Sequence, residues 1–107
     1  MQEPVINLNM DRLAAQSTRA ADLLRALANQ QRLLILCHLA AEGELSVTAL
    51  CKRMELSQSA LSQHLARLRD EGIVAFRREA QSLFYHIADE KAERVLAVLH
   101  DIFCPDL

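Results

Sequence analysis

Residues 57–70, SQSALSQHLARLRD, constrain the fold of this chain more than any other stretch. On a helix of about 3.6 residues per turn, Leu61, Leu65 and Leu68 fall on one side and form an apolar stripe. Ser57 is placed to cap this helix. Short polar side chains on the opposite side would let the helix approach base edges in a DNA major groove, although the same face could be an ordinary solvated surface. These small or polar residues are Ser59, Ser62, Gln63, Ala66 and Arg67.

Composition limits the size and class of the protein. The chain has 107 residues, enough for one domain, and 51% of them are hydrophobic. The net charge of −2 does not by itself indicate a nucleic-acid binder, so a DNA-binding function has to rest on local charge. Apolar runs fall far short of the roughly 20 residues that span a bilayer, and no signal-peptide pattern is present. We therefore expect a soluble, cytoplasmic protein without membrane contact, whose three cysteines are reduced thiols.

The predicted order of elements is α-α-α-α-β-β-α. Residues 1–9 show no clear period and are predicted to form a flexible arm, followed by a single domain over residues 10–107. The second helix is apolar nearly all round, which is typical of a buried central helix. After the fourth helix, IVAFRR and SLFYHIA are rich in β-branched and aromatic residues and predict a hairpin with basic residues at its tip. Helices are predicted over 10–28, 30–41, 47–54 and 57–70, and again from Asp89 onward.

These elements predict a winged helix-turn-helix. About three residues separate the third and fourth helices, so the two cross rather than lie antiparallel. Glu55 stands in this turn, where glycine is common. The last helix carries more apolar residues than a single docking face needs, and a homodimer formed through the first and last helices explains the surplus. The predicted fold is therefore mainly α with a small β-hairpin, in one DNA-binding and dimerisation domain.

Four arginines cluster at the end of the fourth helix and in the hairpin of an otherwise acidic chain: Arg67, Arg69, Arg77 and Arg78. Such a cluster can hold DNA phosphates, whereas the polar face of the fourth helix could reach base edges; a solvated charged surface is the alternative. A symmetric dimer presents two reading helices about 34 Å apart, so the expected partner is a double-stranded DNA operator with an inverted repeat. The candidate DNA-binding residues are Ser57, Gln58, Ser59, Ser62, Gln63, Arg67, Arg77 and Arg78.

Residues 44–74, ELSVTALCKRMELSQSALSQHLARLRDEGIV, and residues 77–87, RREAQSLFYHI, resemble the DNA-binding core of the ArsR/SmtB family of bacterial winged-helix repressors. The resemblance implies a homodimeric transcriptional repressor that is released from its operator by a signal sensed elsewhere, without a cofactor. The chain is more similar to the thiol-sensing branch that contains HlyU, BigR, SqrR and YgaV. There, a cysteine on the second helix pairs with one near the end of the last helix. Cys37 and Cys104 stand at these positions, so the resemblance implies redox sensing by this pair, with an oxidant or a reactive sulfur species (persulfide or polysulfide) as inducer.

Two other kinds of regulator remain open. Metal-sensing members of the family carry cysteines on the third helix, where residues 44–50 offer hydroxyls, which are poor ligands for soft metals. The second metal site of the family needs ligands where this chain has Asp89, Lys91 and a lone His100, so no metal ligands are assigned. The other alternative is an inducer-independent regulator that displaces another DNA-bound protein, as the resemblance to HlyU permits. The only plausible metal cluster is Cys37, His100 and Cys104.

The cysteines also have structural interpretations. Cys37 could be a small packing residue of the central helix, whereas Cys104 lies in the last helical turn, where a thiol can be reached. His100, one turn before Cys104, either tunes that thiol or is an exposed histidine. Cys51 has no counterpart in the pair and is interpreted as packing. The chain has no Gly-rich phosphate loop, acid-pair motif or activated nucleophile, so we do not expect an enzyme.

Overall fold

The structure is a computed structural model that describes residues 6–105. It is mainly helical with a three-stranded antiparallel sheet, and its α4, α5 and β2–β3 hairpin form the predicted winged helix-turn-helix. Of the predicted N-terminal arm, residues 6–9 are exposed and outside any helix or strand, and residues 1–5 lie outside the described part. The elements are α1 (Met10–Ala15), α2 (Ser17–Leu27), α3 (Gln30–Glu42), β1 (Leu45–Ser46), α4 (Val47–Met54), α5 (Gln58–Asp70), β2 (Val74–Glu79), β3 (Ser82–Ile87) and α6 (Glu90–Phe103).

The predicted first helix, 10–28, is divided into α1 and α2 at Gln16. The Gln16 backbone is not helical, with φ −103° and ψ 5°, and its N–H is shared between the carbonyls of Arg12 and Leu13. The Ser17 hydroxyl donates to the Ala14 carbonyl at 2.8 Å, a local bond that competes with the regular helical ladder. No residue of α1 is buried, so tertiary packing does not hold the two segments in line.

The core forms around α3 and α5. The predicted stripe of Leu61, Leu65 and Leu68 is confirmed as buried, with at most 2% of each residue exposed. On α3, the residues Ile35, Leu36 and Leu39 are buried against it. The prediction that α3 is buried all round is wrong, because Leu34 and Cys37 lie on a side that the single chain leaves exposed.

Local capping bonds determine where α5 begins and ends. The Ser57 hydroxyl accepts the Ala60 N–H at 3.1 Å, which confirms the predicted cap. At the other end, Gly72 adopts φ 75°, and the N–H groups of Gly72 and Ile73 donate back to the Arg69 and Leu68 carbonyls, both at 2.9 Å. This Schellman motif needs the left-handed conformation that glycine adopts without strain. It turns the chain from α5 directly into β2.

The sheet contains one strand that the sequence does not predict. The order is β1-β3-β2, and the short strand β1 pairs Leu45 with Tyr85 and Ser46 with Phe84. Two residues are too few to show a strand periodicity. The prediction of a basic hairpin tip is wrong in position: the turn is Ala80-Gln81, while Arg77 and Arg78 lie within β2 opposite Phe84 and Leu83.

Within residues 6–105, every helix is too short or too polar to cross a membrane.

Candidate nucleic-acid interface and thiol pair

The polar face of α5 is exposed along its whole length. Its six candidate DNA-binding residues are all exposed, while the leucines on the opposite side are buried in the core. The amphipathic pattern therefore places this face on the outside of the domain. These exposed residues are Ser57, Gln58, Ser59, Ser62, Gln63 and Arg67.

A cleft of about 480 Å³ separates α5 from the β2–β3 hairpin, which is the wing of the domain. Gln58, Ser62 and Arg69 line it from α5, and Gln81 and Tyr85 line it from the wing. The Arg69 Nη1 donates to the Tyr85 hydroxyl at 3.3 Å. These contacts connect the helix and the wing, so both present one continuous surface.

Arg69 also contacts the wing through an aromatic ring. Its guanidinium lies 5.6 Å from the centre of the Phe76 ring, which in turn packs against Tyr85 with ring centres 5.5 Å apart. A cation over an aromatic face is attracted by the ring quadrupole. Arg69 therefore joins α5 to the wing and is not a freely extended cation.

The charge of Arg77 is already paired within the protein. Its Nε and Nη2 donate to the two carboxylate oxygens of Glu44, each at 2.9 Å, and its Nη1 donates to Glu79 at 2.7 Å. The guanidinium also lies 4.6 Å from the centre of the Phe84 ring. The hydrogen bonds to Glu44 and Glu79 raise the pKa of Arg77, and the same bond to Arg77 lowers the pKa of Glu44.

The two other candidate arginines are less engaged. Arg67 lies 3.6 Å from Glu71 in an exposed ion pair, of a kind that contributes little energy. Arg78 is exposed and has no ion pair within residues 6–105. Because successive residues of a strand face opposite sides, Arg78 belongs to the face that holds Phe76, and Arg77 to the other face. The four arginines thus do not form one uniform basic patch.

Cys37 lies on α3 and Cys104 directly follows α6, and these two helices pack against each other. Cys37 is exposed as a residue, and Cys104 is half-buried at the C-terminal end of α6, where its N–H donates to the His100 carbonyl at 2.7 Å. Partial desolvation of the sulfur raises the pKa of Cys37, and the nearby Cys104 raises it further. Both cysteines are free thiols in this structure.

The third cysteine, Cys51, is half-buried and packs against the core, as predicted. In the described part of the chain, residues 6–105, no group of three or more His, Cys, Asp or Glu side chains is arranged to hold a metal ion.

Two contacts of this region are not predicted from the sequence. Glu44 meets Arg77 only because β1 and β2 both flank β3, and nothing in the local sequence signals that pairing. Arg32 donates through Nε to the Ala26 carbonyl at 2.7 Å and through Nη2 to the Arg25 carbonyl at 3.3 Å, and so caps the C-terminal end of α2.

Several apolar side chains of the outer helices are exposed. The α6 residues Val98, Ile102 and Phe103 expose 55%, 60% and 77% of their surface, more than a soluble helix normally leaves uncovered. Leu13 of α1 and Leu24 of α2 are also exposed. These residues do not pack into the core of their own chain.

Comparison with known proteins identifies the family. Residues 29–75 match the model of the arsR family of bacterial regulatory proteins. The chain is 46% identical to the transcriptional activator HlyU of Vibrio cholerae, over 91% of this chain and 89% of HlyU. It superposes on the crystal structure of the transcriptional repressor BigR from Xylella fastidiosa with a TM-score of 0.85, at 35% identity, covering 91% of this chain and 98% of BigR.

A third relative bears on the fold. The homodimeric winged helix-turn-helix DNA-binding domain of Mb0332 from Mycobacterium bovis, a fragment described as a possible ArsR-family regulator, matches with a TM-score of 0.74 at 32% identity. The match covers 92% of this chain and 89% of that domain. Together with the exposed face of α5 and its wing, these similarities show that the chain belongs to the arsR family of bacterial regulatory proteins and is a DNA-binding transcriptional regulator.

Proposed function

We propose that this protein is a homodimeric repressor whose operator binding is switched by oxidation or by persulfide or polysulfide modification of Cys37 and Cys104. The observation that carries the proposal is the placement of the two thiols on packed helices, Cys37 on α3 and Cys104 at the end of α6, and the effect of Cys104 on the pKa of Cys37 supports it. Cys37 and Cys104 are far apart in sequence, so a covalent link between the two sulfurs would restrain the tertiary structure.

A second copy of this chain is the proposed occupant of the apolar surface on the outer helices. Support comes from the exposed side chains of α6 and from the homodimeric state of the related Mb0332 domain. Isologous contacts between identical faces are the commonest way in which soluble proteins form dimers. Two α5 helices related by a twofold axis would fit an operator with an inverted repeat.

Within each half-site, we assign base reading to the polar face of α5. Serine and glutamine side chains there are exposed and short enough to let the helix approach base edges. Arg67 and the wing would contribute the phosphate contacts that fix the register of the protein on DNA. The proposed base-reading residues are Ser57, Gln58, Ser59, Ser62 and Gln63.

The proposed chemistry begins at Cys104. The raised pKa of Cys37 lowers its fraction of reactive thiolate, so we assign it the second step. With an oxidant, the two thiols lose two protons and two electrons and form a disulfide. With a polysulfide, the Cys104 thiolate attacks an inner sulfur and displaces one hydrosulfide ion, which leaves at least two polysulfide sulfurs on Cys104. The Cys37 thiolate then attacks the sulfur next to the terminal one and displaces the terminal sulfur as a second hydrosulfide ion, so that at least one sulfur remains between the two cysteine sulfurs.

The link would act on DNA binding through the dimer interface. A bond between α3 and the end of α6 fixes the part of α6 that carries Ile102 and Phe103, two exposed apolar residues of the proposed interface. A change in the angle between protomers would move the two α5 helices out of register with successive major grooves. The modification shifts the DNA equilibrium only by the difference that it makes between the two arrangements.

Cysteine variants test this function. We expect Cys37→Ser and Cys104→Ser to bind a DNA duplex, selected from a random pool by the reduced wild-type protein, with wild-type affinity in reductant. Treatment with polysulfide should release the wild-type protein from this duplex but neither variant. Cys51→Ser is the matched control, and it should be released like the wild type.

The outcomes separate the proposed function from its alternatives. Release of both single variants to the wild-type extent would contradict the thiol switch. DNA binding of the wild type that ignores oxidant and polysulfide would indicate the inducer-independent regulator instead. Mass spectrometry of the treated wild-type protein would identify the link as a disulfide or a longer sulfur chain.

A further inference from the structure

The two wing arginines differ in their surroundings, and this difference suggests different roles on DNA. We propose that Arg77 is a positioning residue that clamps the wing to Glu44, and that Arg78 makes the phosphate contact of the wing. The proposal rests on the DNA-binding function and refines which residues of the wing carry it.

The clamp around Arg77 engages all three nitrogens of its guanidinium. Two parallel bonds join it to both oxygens of Glu44, and a third bond joins it to Glu79. The ring of Phe84, which is the cross-strand neighbour of Arg77, lies 4.6 Å away and supports the guanidinium. A bidentate arginine–carboxylate pair fixes geometry as well as charge, which an exposed single bond does not do.

The position of Glu44 gives the clamp a mechanical role. Glu44 directly precedes β1. The last residue of β1 is Ser46, whose hydroxyl caps α4 by accepting the Ala49 N–H at 3.1 Å. Arg77 lies in the middle of β2, which is the edge strand opposite to β1 in the order β1-β3-β2. The ion pair therefore spans the sheet and fixes the wing relative to the start of the helix-turn-helix.

Releasing Arg77 to contact a phosphate would be unfavourable. The carboxylates of Glu44 and Glu79, both accessible to solvent at 35% and 65% of their side-chain surface, would lose their shared cation. They would then stand unpaired close to a polyanion, and like charges repel there. The clamp thus keeps two carboxylates neutralised while the wing is near DNA.

Arg78 has the opposite surroundings. It is exposed, has no ion pair within the described range 6–105, and follows Arg77 on the strand, so it faces the other side of the hairpin. That side holds Phe76, which contacts Arg69 of α5. Arg78 therefore extends the surface formed by α5, whereas Arg77 does not.

The salt dependence of DNA binding tests this division. The probe is a 30-base-pair duplex of random sequence, because phosphate contacts do not depend on sequence. Because log K falls with log salt concentration, loss of one phosphate contact makes this slope less negative, a decrease in its magnitude of about 0.9. We expect this decrease for Arg78→Ala, and a slope close to the wild-type value for Arg78→Lys, which keeps the charge.

The matched variants of Arg77 should behave differently. Arg77→Ala and Arg77→Lys should both weaken binding severalfold, since lysine cannot reproduce the bidentate bond. Arg77→Lys should do so with the wild-type slope, because it keeps the positive charge beside Glu44 and Glu79. Hydrogen exchange of the β2 and β3 amides in the free protein should accelerate in both variants and in Glu44→Ala, and should not change in Arg78→Ala. Acceleration reports the loss of the clamp directly.

The proposal is overturned if Arg77→Lys binds with the wild-type affinity while Arg77→Ala makes the slope less negative by about one unit, which would make Arg77 a phosphate contact. Unchanged hydrogen exchange in Arg77→Ala and Glu44→Ala would equally exclude the clamp. If the reduced wild-type protein itself fails to bind the duplex, the DNA-binding function fails, and the exchange measurement still decides whether Arg77 holds the wing.

Discussion

Single residues of this protein acquire their chemistry from partners that are distant in sequence. The guanidinium of Arg77 is neutralised by Glu44, and the pKa of Cys37 is raised in part by Cys104. The residue types and their positions are visible in the sequence, which is why the DNA-binding candidates and the cysteine pair can be named from it. Whether a candidate is free or already paired depends on the tertiary structure, and this explains why Arg77 and Arg78 cannot be distinguished beforehand.

Gln63 is expected to discriminate between bases. It is exposed on the face of α5, and a glutamine that bonds a base edge in two places contributes about 1–3 kcal/mol of preference. Gln63→Ala should therefore relax the preference at one base position by this amount in a competition assay with single-base operator variants. Arg67→Ala is the comparison, and it should weaken all duplexes alike. Equal losses on every sequence in both variants would contradict this assignment.

The raised pKa of Cys37 should be visible in its reactivity. The alkylation rate at Cys37 follows its thiolate fraction, so the rate should rise with pH, with a midpoint above the ordinary thiol range. Cys104→Ser removes one of the two causes of the shift and should lower this midpoint. Iodoacetamide labelling of the Cys37 peptide, quantified by mass spectrometry in a Cys51→Ser background, measures it. A midpoint that is unaffected by Cys104→Ser would show that the two thiols do not interact.

At the level of helices and strands, local signals decide what can be predicted. The bounds of α4 and α5 follow from Ser46 and Ser57, because an N-cap acts on the residues directly after it. Local signals do not predict the helix break at Gln16, which depends on the lack of tertiary packing around α1. They do not predict the strand β1 either, because this strand depends on pairing with β3. The sequence therefore predicts the reading helix accurately and the support around the wing less well.

Glu55 should be a site of strain between α4 and α5. It adopts φ 55°, a left-handed conformation that costs a non-glycine residue roughly 1 kcal/mol or more. Glu55→Gly should therefore raise the free energy of unfolding by up to about 1 kcal/mol, measured by urea denaturation. Glu55→Ala is the control, and it should bring no such gain since alanine meets the same backbone restriction. Equal stabilisation by both substitutions would place the cause in the carboxylate instead.

At the level of the whole molecule, the exposed apolar side chains of α6 would connect Cys104 with the two α5 helices of the proposed dimer. Cys104 ends the helix that carries these side chains, and Cys37 lies on α3, which also supports the core beneath α5. In the proposed dimer, a change at the thiols reaches DNA through the geometry of the protomers and not through a contact with α5. The last helix carries more apolar residues than one docking face needs, and this predicts such an interface from the sequence. The structure of a single chain does not give the geometry of the interface.

A charge placed on the proposed interface should separate the protomers. Ile102 is 60% exposed in the single chain, and burial of a carboxylate there would be unfavourable in the dimer. Ile102→Glu should raise the dimer dissociation constant at least about tenfold, equivalent to about 1.4 kcal/mol, by sedimentation equilibrium. Lys52→Glu, on the exposed side of α4, should leave the constant unchanged. A dimer that tolerates Ile102→Glu would exclude this face as the interface.

In the proposed switch, a link between Cys37 and Cys104 releases the protein from DNA. Titration of the reduced wild-type protein with polysulfide tests this when the fraction of chains linked between these cysteines and the fraction bound to the selected duplex are followed in the same samples. We expect DNA binding to fall in proportion to the linked fraction while Cys51 stays unmodified. Full DNA binding by linked chains, or release without the link, would contradict the proposed switch.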